Sequence, residues 1–248
     1  MSIFQPFAFQ QGPSAGPSPF PYEANLLARY TFNEGSGTTV LDQSGNGVNL
    51  VANNGAILGN QTPGIFSGEY AADFSGGSYV CYNVNSPFGC AQKIFTYSFW
   101  TKFPSNTANQ YLGRINRDVG CGTSYGQGAW ILGYSGSALE VFSAAASRFT
   151  AIDPAPINTW IMTTLTYSGI FATGQVKAYI NGVFVASNPN TLEQEPLATD
   201  VVIGASTQTG QDNFGGLVDQ WSLHNFEMTS IQITELYNWY VNNPNFIG

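Results

Sequence analysis

The sequence predicts an all-β protein: an antiparallel β-sandwich closed by one short C-terminal helix and preceded by an extended N-terminal arm. Three observations carry this reading. Gln175–Ser187 consists of two runs rich in β-branched and aromatic residues joined by Asn181-Gly182. Asn-Gly is the strongest short signal for a two-residue type I′ hairpin, because both central residues need positive φ. Thr96–Phe103 alternates so that Tyr97, Phe99, Thr101 and Phe103 share one face and Thr96, Ser98, Trp100 and Lys102 the other. An aromatic on both faces suits a strand inside a two-layer sandwich. Only Thr229–Tyr240 spaces its apolar residues as a helix does.

Composition narrows the class further. A chain of 248 residues is long for an average domain, but all-β sandwiches of this size run as single domains. No internal repeat is visible. The reading is therefore one domain over 26–248 behind an arm over 1–25. Charged residues make up only 9%, against about a quarter in ordinary globular chains. Asn, Gln, Ser, Thr and Gly must then form the polar surface, as suits extracellular or virion proteins and hydrogen-bonding partners such as sugars. Net charge is -8, and the seven Lys and Arg do not cluster. That excludes a phosphate-tracking nucleic-acid binder and disfavours an anionic membrane surface. No apolar run is long enough to span a bilayer. The first ten residues lack a basic start and an apolar stretch, so they do not read as a secretory signal.

In chain order, the arm holds Pro6, Pro13, Pro17, Pro19 and Pro21, which exclude a helix or a central strand. It also carries Phe4, Phe7, Phe9, Phe20 and Tyr22, more aromatics than a linker needs. These read as an anchor into a larger assembly; the alternative is an arm draped over its own sandwich. Strands are expected at Leu26–Phe32, Thr38–Leu41, Tyr111–Asn116, Ala129–Tyr134, Leu139–Ala144, Trp160–Tyr167, Val201–Gly204 and Phe214–Leu223. The turns between the first of them, Asn33–Gly37 and Asp42–Gly47, are rich in Gly, Asn and Asp. Gly supplies positive φ there, and Asp or Asn side chains bond their own backbone. In the helix, Thr229 and Gln232 form a capping box, and Ile231, Ile233, Leu236, Tyr237 and Tyr240 form the apolar face. Pro244 follows its end.

Several of these stretches together resemble one family. Phe32-Asn33-Glu34-Gly35-Ser36-Gly37, then Asp42–Gly47, Tyr70–Val80, Thr96–Phe103, the Asn181-Gly182 hairpin, Phe214–Leu223 and the helix at Met228–Tyr237 follow the order found in laminin G-like (concanavalin A-like) jelly-roll domains. The resemblance covers Leu26–Tyr240 and implies a jelly roll in which Tyr70–Val80 is a hairpin. It also implies a structural Ca²⁺, held by oxygen ligands at Asp42, Asn46 and Asp219. The alternative is that Asp42 and Asn46 only close turns, and that Asp219 bonds neighbouring backbone.

Catalysis finds little support. Glucanases of this fold carry a Glu-x-Asp-x-x-Glu strand, and no such string occurs. Glu193 and Glu195 are the nearest acidic pair, spoiled by Pro196. His224, the single histidine, reads as a surface or strand-end residue rather than part of a triad. Cys81, Cys90 and Cys121 read as three buried or idle thiols; the alternative is that Cys81 and Cys90 close one loop. Tyr125, in the glycine-rich loop 117–128, and Trp130 are candidates to stack on a glycan, with core packing the alternative for Trp130. The expectation is a non-catalytic interaction protein, displayed on a virion as a phage decoration or appendage protein. Its arm would dock on other assembly proteins and its jelly roll on host-surface glycans. A free-standing extracellular lectin or adhesin is the alternative, and a homo-oligomer is compatible with either.

Overall fold

The computed structural model describes residues 19–53, 57–82, 94–103, 110–116, 130–135, 137–143, 148–168, 175–188, 200–205, 214–243 and 245. Phe4, Phe7, Phe9, Cys90, Cys121, Tyr125, Glu193 and Glu195 lie outside the described residues. The N-terminal half of the fold contains β1 (Leu26–Tyr30), β2 (Thr39–Val40), β3 (Leu50–Asn53), β4 (Ile57–Pro63), β5 (Tyr70–Asp73), β6 (Tyr79–Cys81), β7 (Ile94–Lys102) and β8 (Gln110–Asn116). It continues with β9 (Trp130–Ser135), β10 (Ala138–Ser143), β11 (Arg148–Ile152), β12 (Trp160–Ser168), β13 (Val176–Ile180), β14 (Val183–Asn188), β15 (Asp200–Ile203) and β16 (Leu217–His224). Helix α1 (Ser230–Val241) closes the chain.

The strands form two antiparallel sheets. The first runs β14-β13-β12-β7-β16-β5-β4, with β1 also paired to β16; the second runs β11-β10-β9-β8-β15-β6-β3-β2. β1 and β5 share one edge of β16: Leu217 and Val218 pair with β5, and Trp221–His224 pair with β1. The register shifts between Asp219 and Ser222, where Gln220 adopts φ 48. A bulge of this kind turns a strand and lets it change neighbours.

Between the sheets lies the main core. The first sheet contributes Phe95, Tyr97, Phe99, Ile161, Leu165, Trp221 and Leu223; the second contributes Val80, Leu112, Leu139, Val141, Val201 and Ile203. The alternation expected for Thr96–Phe103 is the one observed, with Trp100 on the far side in a second cluster. That cluster makes a third layer, in which α1 lies on the outer face of the first sheet. Ile233, Leu236 and Tyr240 of the helix are buried there with Trp100, Met162 and Tyr179. The capping box is present as expected, with Thr229 and Gln232 each satisfying the other's backbone N–H. Ile231 departs from the expected apolar face and is 72% exposed. It sits about 200° around the helix from Ile233, so it points away from the sheet.

The type I′ hairpin is also as expected, with Asn181 at φ 50 and Gly182 at φ 79. Tertiary contacts reinforce the choice of both residues. The Asn181 side-chain oxygen accepts the Met162 N–H at 2.8 Å. A Cβ on Gly182 would stand 3.0 Å from the Tyr237 Cβ of α1, and the Thr234 hydroxyl donates to the Gly182 carbonyl at 3.0 Å. The helix therefore docks on the turn itself.

Two expectations need correcting. Tyr70–Val80 is not a hairpin: β5 belongs to the first sheet and β6 to the second. Phe74 is buried in the core at the crossing. The turn behind it is closed by the Ser75 N–H donating to Asp73 at 2.8 Å and the Gly77 N–H donating to the Phe74 carbonyl at 3.1 Å. Turn residues look alike whether the chain returns along the same sheet or crosses to the facing one. Nor are all three cysteines unbridged: Cys81 is disulfide-bonded and fully buried.

Candidate functional site

The outer face of the first sheet gathers most of the unusual chemistry. Strand register sets Ser222 beside Ser98 and Ser98 beside Thr164, and in the next row His224, Thr96 and Thr166. All six side chains are fully buried. Thr96 is satisfied, donating to the Phe226 carbonyl at 2.7 Å and accepting the Met228 N–H at 2.9 Å. The hydroxyls of Ser98, Thr164, Thr166 and Ser222 have no hydrogen-bond partner, nor do the ring nitrogens of His224 make a well-formed bond. His224 does end a strand as expected, yet it is buried rather than at the surface.

The end of the arm lies over this face. Phe20 is 6% exposed and packs edge-on against Trp239 and Tyr240 of α1 at 5.1 and 6.1 Å. The hydroxyl of Tyr22 donates to Glu235, and its ring meets Phe226 at 5.7 Å. Burial and the Glu235 carboxylate push the Tyr22 hydroxyl up to about 12, so it stays a donor. A turn of 3-10 helix at Glu23–Asn25 then leads into β1. Phe20 and Tyr22, expected to anchor the chain in a larger assembly, are thus engaged by their own domain. Apolar burial under α1 takes them up locally.

The bulge beside this layer organises a polar chain. Arg29 donates to the Gln220 side-chain oxygen at 3.2 Å, and the Gln220 amide donates to Glu69 at 3.3 Å. Asp219 is fully buried and accepts the backbone N–H groups of Ile65 at 2.8 Å and Gln220 at 2.7 Å. Burial holds its carboxyl well above the usual range; the two N–H donors and Arg29 act against this, and Glu69 adds to it.

The residues expected to hold Ca²⁺ do not fit the ion. The Asp42 carboxylate accepts the N–H groups of Arg29, Ser44 and Val48 at 3.0, 2.9 and 3.1 Å, and the Ser44 hydroxyl at 2.8 Å. The Asn46 amide donates to the Leu26 and Leu27 carbonyls at 2.9 and 3.2 Å. Hydrogens thus converge on Asp42 where a cation would need bare oxygen. Asp219 is engaged elsewhere, by Ile65 and Gln220. Among the described residues no group of three or more His, Cys, Asp or Glu side chains is arranged to hold a metal. Asp42 and Asn46 instead lock the turn after β2 against the β1 backbone. Of the glycan candidates, Tyr125 lies outside the described residues. Trp130 opens β9, opposite Ser143 and Ile115.

Among the described residues, a run of three exposed apolar side chains lies at the far edge of the first sheet. Val183, Phe184 and Val185 on β14 are 65%, 50% and 38% exposed. The start of α1, which carries exposed Ile231, is tied to the same hairpin. The Tyr179 and Ser230 hydroxyls are 3.3 Å apart, and the Tyr179 and Phe184 rings meet at 5.6 Å. Sequence reading located this hairpin but not its exposure, because Val-Phe-Val reads equally well as buried strand.

The sequence profile of the concanavalin A-like lectin/glucanases superfamily matches residues 74–234, well over half of the chain. The chain belongs to that superfamily. Solved structures agree on the fold. The botulinum neurotoxin serotype D binding domain superposes with a TM-score of 0.64 at 16% identity, covering 89% of this chain and 53% of that one. The binding domain of Paraclostridial Mosquitocidal Protein 1 gives 0.66 at 17% identity, covering 89% and 53%. The binding domain of botulinum neurotoxin DC, in complex with rat synaptotagmin II, gives 0.63 at 16% identity, covering 87% and 52%. The chain spans about half the length of these structures, and at such identities the likeness is one of fold. No curated protein matches it.

Proposed function

We propose that this jelly roll is a non-catalytic recognition module that binds a protein on a cell surface through the corner formed by β14 and the start of α1. The observation that carries the reading is the run of exposed apolar residues Val183, Phe184 and Val185, with exposed Ile231 on the helix start that is tied to the same hairpin. Exposed apolar residues grouped in this way mark interaction sites. An aromatic with aliphatic neighbours suits a protein groove better than a sugar, which needs polar groups beside the ring. Net charge of -8 favours a partner with basic groups around that groove. Membership of a lectin-containing superfamily supports a binding role. So does fold likeness to toxin binding domains, one of them solved in complex with rat synaptotagmin II.

The test is saturable binding of the full chain to intact cells, compared with Val183→Thr/Phe184→Thr. Loss of binding in the variant, and its loss after protease treatment of the cells, supports the proposal. Binding that survives protease but falls after glycosidase treatment favours the lectin reading. Display on a virion through the arm is a narrower reading. It has lost Phe20 and Tyr22 as anchors and rests on Phe4, Phe7 and Phe9.

A further inference from the structure

His224 is the only histidine of the chain, and its surroundings do not suit a charged ring. It is fully buried, stacked on Phe20 at 6.1 Å with 19° between the rings, and met edge-on by Phe226 at 6.1 Å. The Arg29 guanidinium of β1 stands 4.0 Å from the centre of the same Phe20 ring. The other ionisable groups around this layer are engaged elsewhere. On its own strand, Asp219 accepts the Ile65 and Gln220 N–H groups. Glu69 takes the Gln220 amide. From α1, Glu235 takes the Tyr22 hydroxyl, and Tyr240 adds only a buried hydroxyl. Glu227, in the loop before α1, pairs with Lys177 of β13 at 2.8 Å. None of these carboxylates hydrogen-bonds the imidazole.

We propose that residues 19–25 form an acid-released strap: protonation of His224 expels Phe20 and frees this segment while the sandwich stays folded. A neutral imidazole can be buried under an aromatic ring, but an imidazolium without an anion loses its hydration with only the Pro21 backbone in partial return. Burial pushes His224 down to about 4; the Arg29 charge adds to this, and the Pro21 backbone opposes it. The Phe20 ring could favour a cation, but Arg29 already occupies it.

The sign follows from linkage. A base whose value is lower in the closed state stabilises that state fully above the ordinary 6.5 and loses the contribution as pH falls towards about 4. Opening thus gains roughly tenfold per pH unit over that window, or about 30-fold at pH 5.0 relative to neutral pH.

The strap is the element that gives way because it is held least. β16 pairs with β7 along its length and with β1 at its end. The segment 19–25 is held by two aromatic side chains and a few backbone bonds, such as the Asn225 N–H to the Asn25 carbonyl at 3.0 Å. It also carries Tyr22 at φ 58, a left-handed conformation uncommon outside glycine. Local opening draws on such weakly held segments. Release moves the tether point of residues 1–18 from Pro19 to Leu26. The inference is independent of what the β14 corner binds.

Hydrogen–deuterium exchange of the full chain at pH 7.5 and 5.0, corrected for intrinsic rates, tests it. The expected result is about 30-fold faster exchange of residues 20–25 at pH 5.0, with β7 and β16 still protected, and no such acceleration in His224→Gln. Equal protection of the segment at both pH values overturns the proposal. So does the same acceleration in His224→Gln, or simultaneous loss of protection across the sandwich. Should the variant fail to fold, the wild-type imidazole, a single NMR resonance, decides. Titration well below 6.5 in step with opening of the segment supports the strap, and titration at 6.5 overturns it.

Discussion

Two regions on the outside of the first sheet have similar residues and opposite fates. Over β7, β12 and β13, the aromatic and sulfur side chains Trp100, Met162 and Tyr179 are covered by α1 and the strap. A strand away, Val183, Phe184 and Val185 stay exposed. β-Propensity does not separate the two, since both are rich in strand formers. The difference is reach: the side-chain bonds from α1 go to the turn at Gly182 and to Tyr179 of β13, short of the exposed residues of β14. An apolar residue is concealed where the chain supplies a cover, and the uncovered remainder is available to a partner.

The comparison breaks most sharply at Trp100. It is 2% exposed, packed on Tyr237 and Tyr240 of α1 at 5.9 and 5.8 Å. Trp100→Ala is expected to cost about 3–5 kcal/mol in urea unfolding, as truncations of buried aromatics do. A loss below about 1 kcal/mol would mean that the helix layer contributes little. Thr229→Ala removes the capping box that starts the cover and should cost about 1 kcal/mol, read as a lower unfolding midpoint. At the bare corner, Val183→Thr/Phe184→Thr should change stability by no more than about 0.5 kcal/mol, because exposed positions contribute little to folding. A larger loss would show the corner to be part of the fold rather than a docking surface. The smallest effect belongs to metal removal. A chelator should leave Tm unchanged, since Asp42 is already satisfied by N–H and O–H donors. A drop of several degrees would restore Ca²⁺ to the turn.

Much of the fold was legible because its signals are local. The Asn181-Gly182 turn, the Thr229/Gln232 cap and the two faces of β7 each follow from neighbours in sequence. β3, β4 and β11 were not assigned; β3, Leu-Val-Ala-Asn at 50–53, is too short and too uniform to signal a strand. Asp42 illustrates the boundary well. An aspartate in a Gly- and Asn-rich turn can hold a cation or the backbone, and only the converging N–H groups decide between them.

By itself the sequence determined the class of the protein: strands, one capped helix, a charge-poor surface, and a motif order shared with its superfamily. Those properties depend on residue type and spacing along the chain. Tertiary structure alone decided that β5 and β6 part into different sheets, that Phe20 closes over His224, and that β14 is left bare. Each of these depends on which segments distant in sequence meet in space, such as Phe20 with Trp239 and Arg29 with Gln220. Spacing along the chain does not encode such meetings; they follow from packing two sheets and a helix into one body.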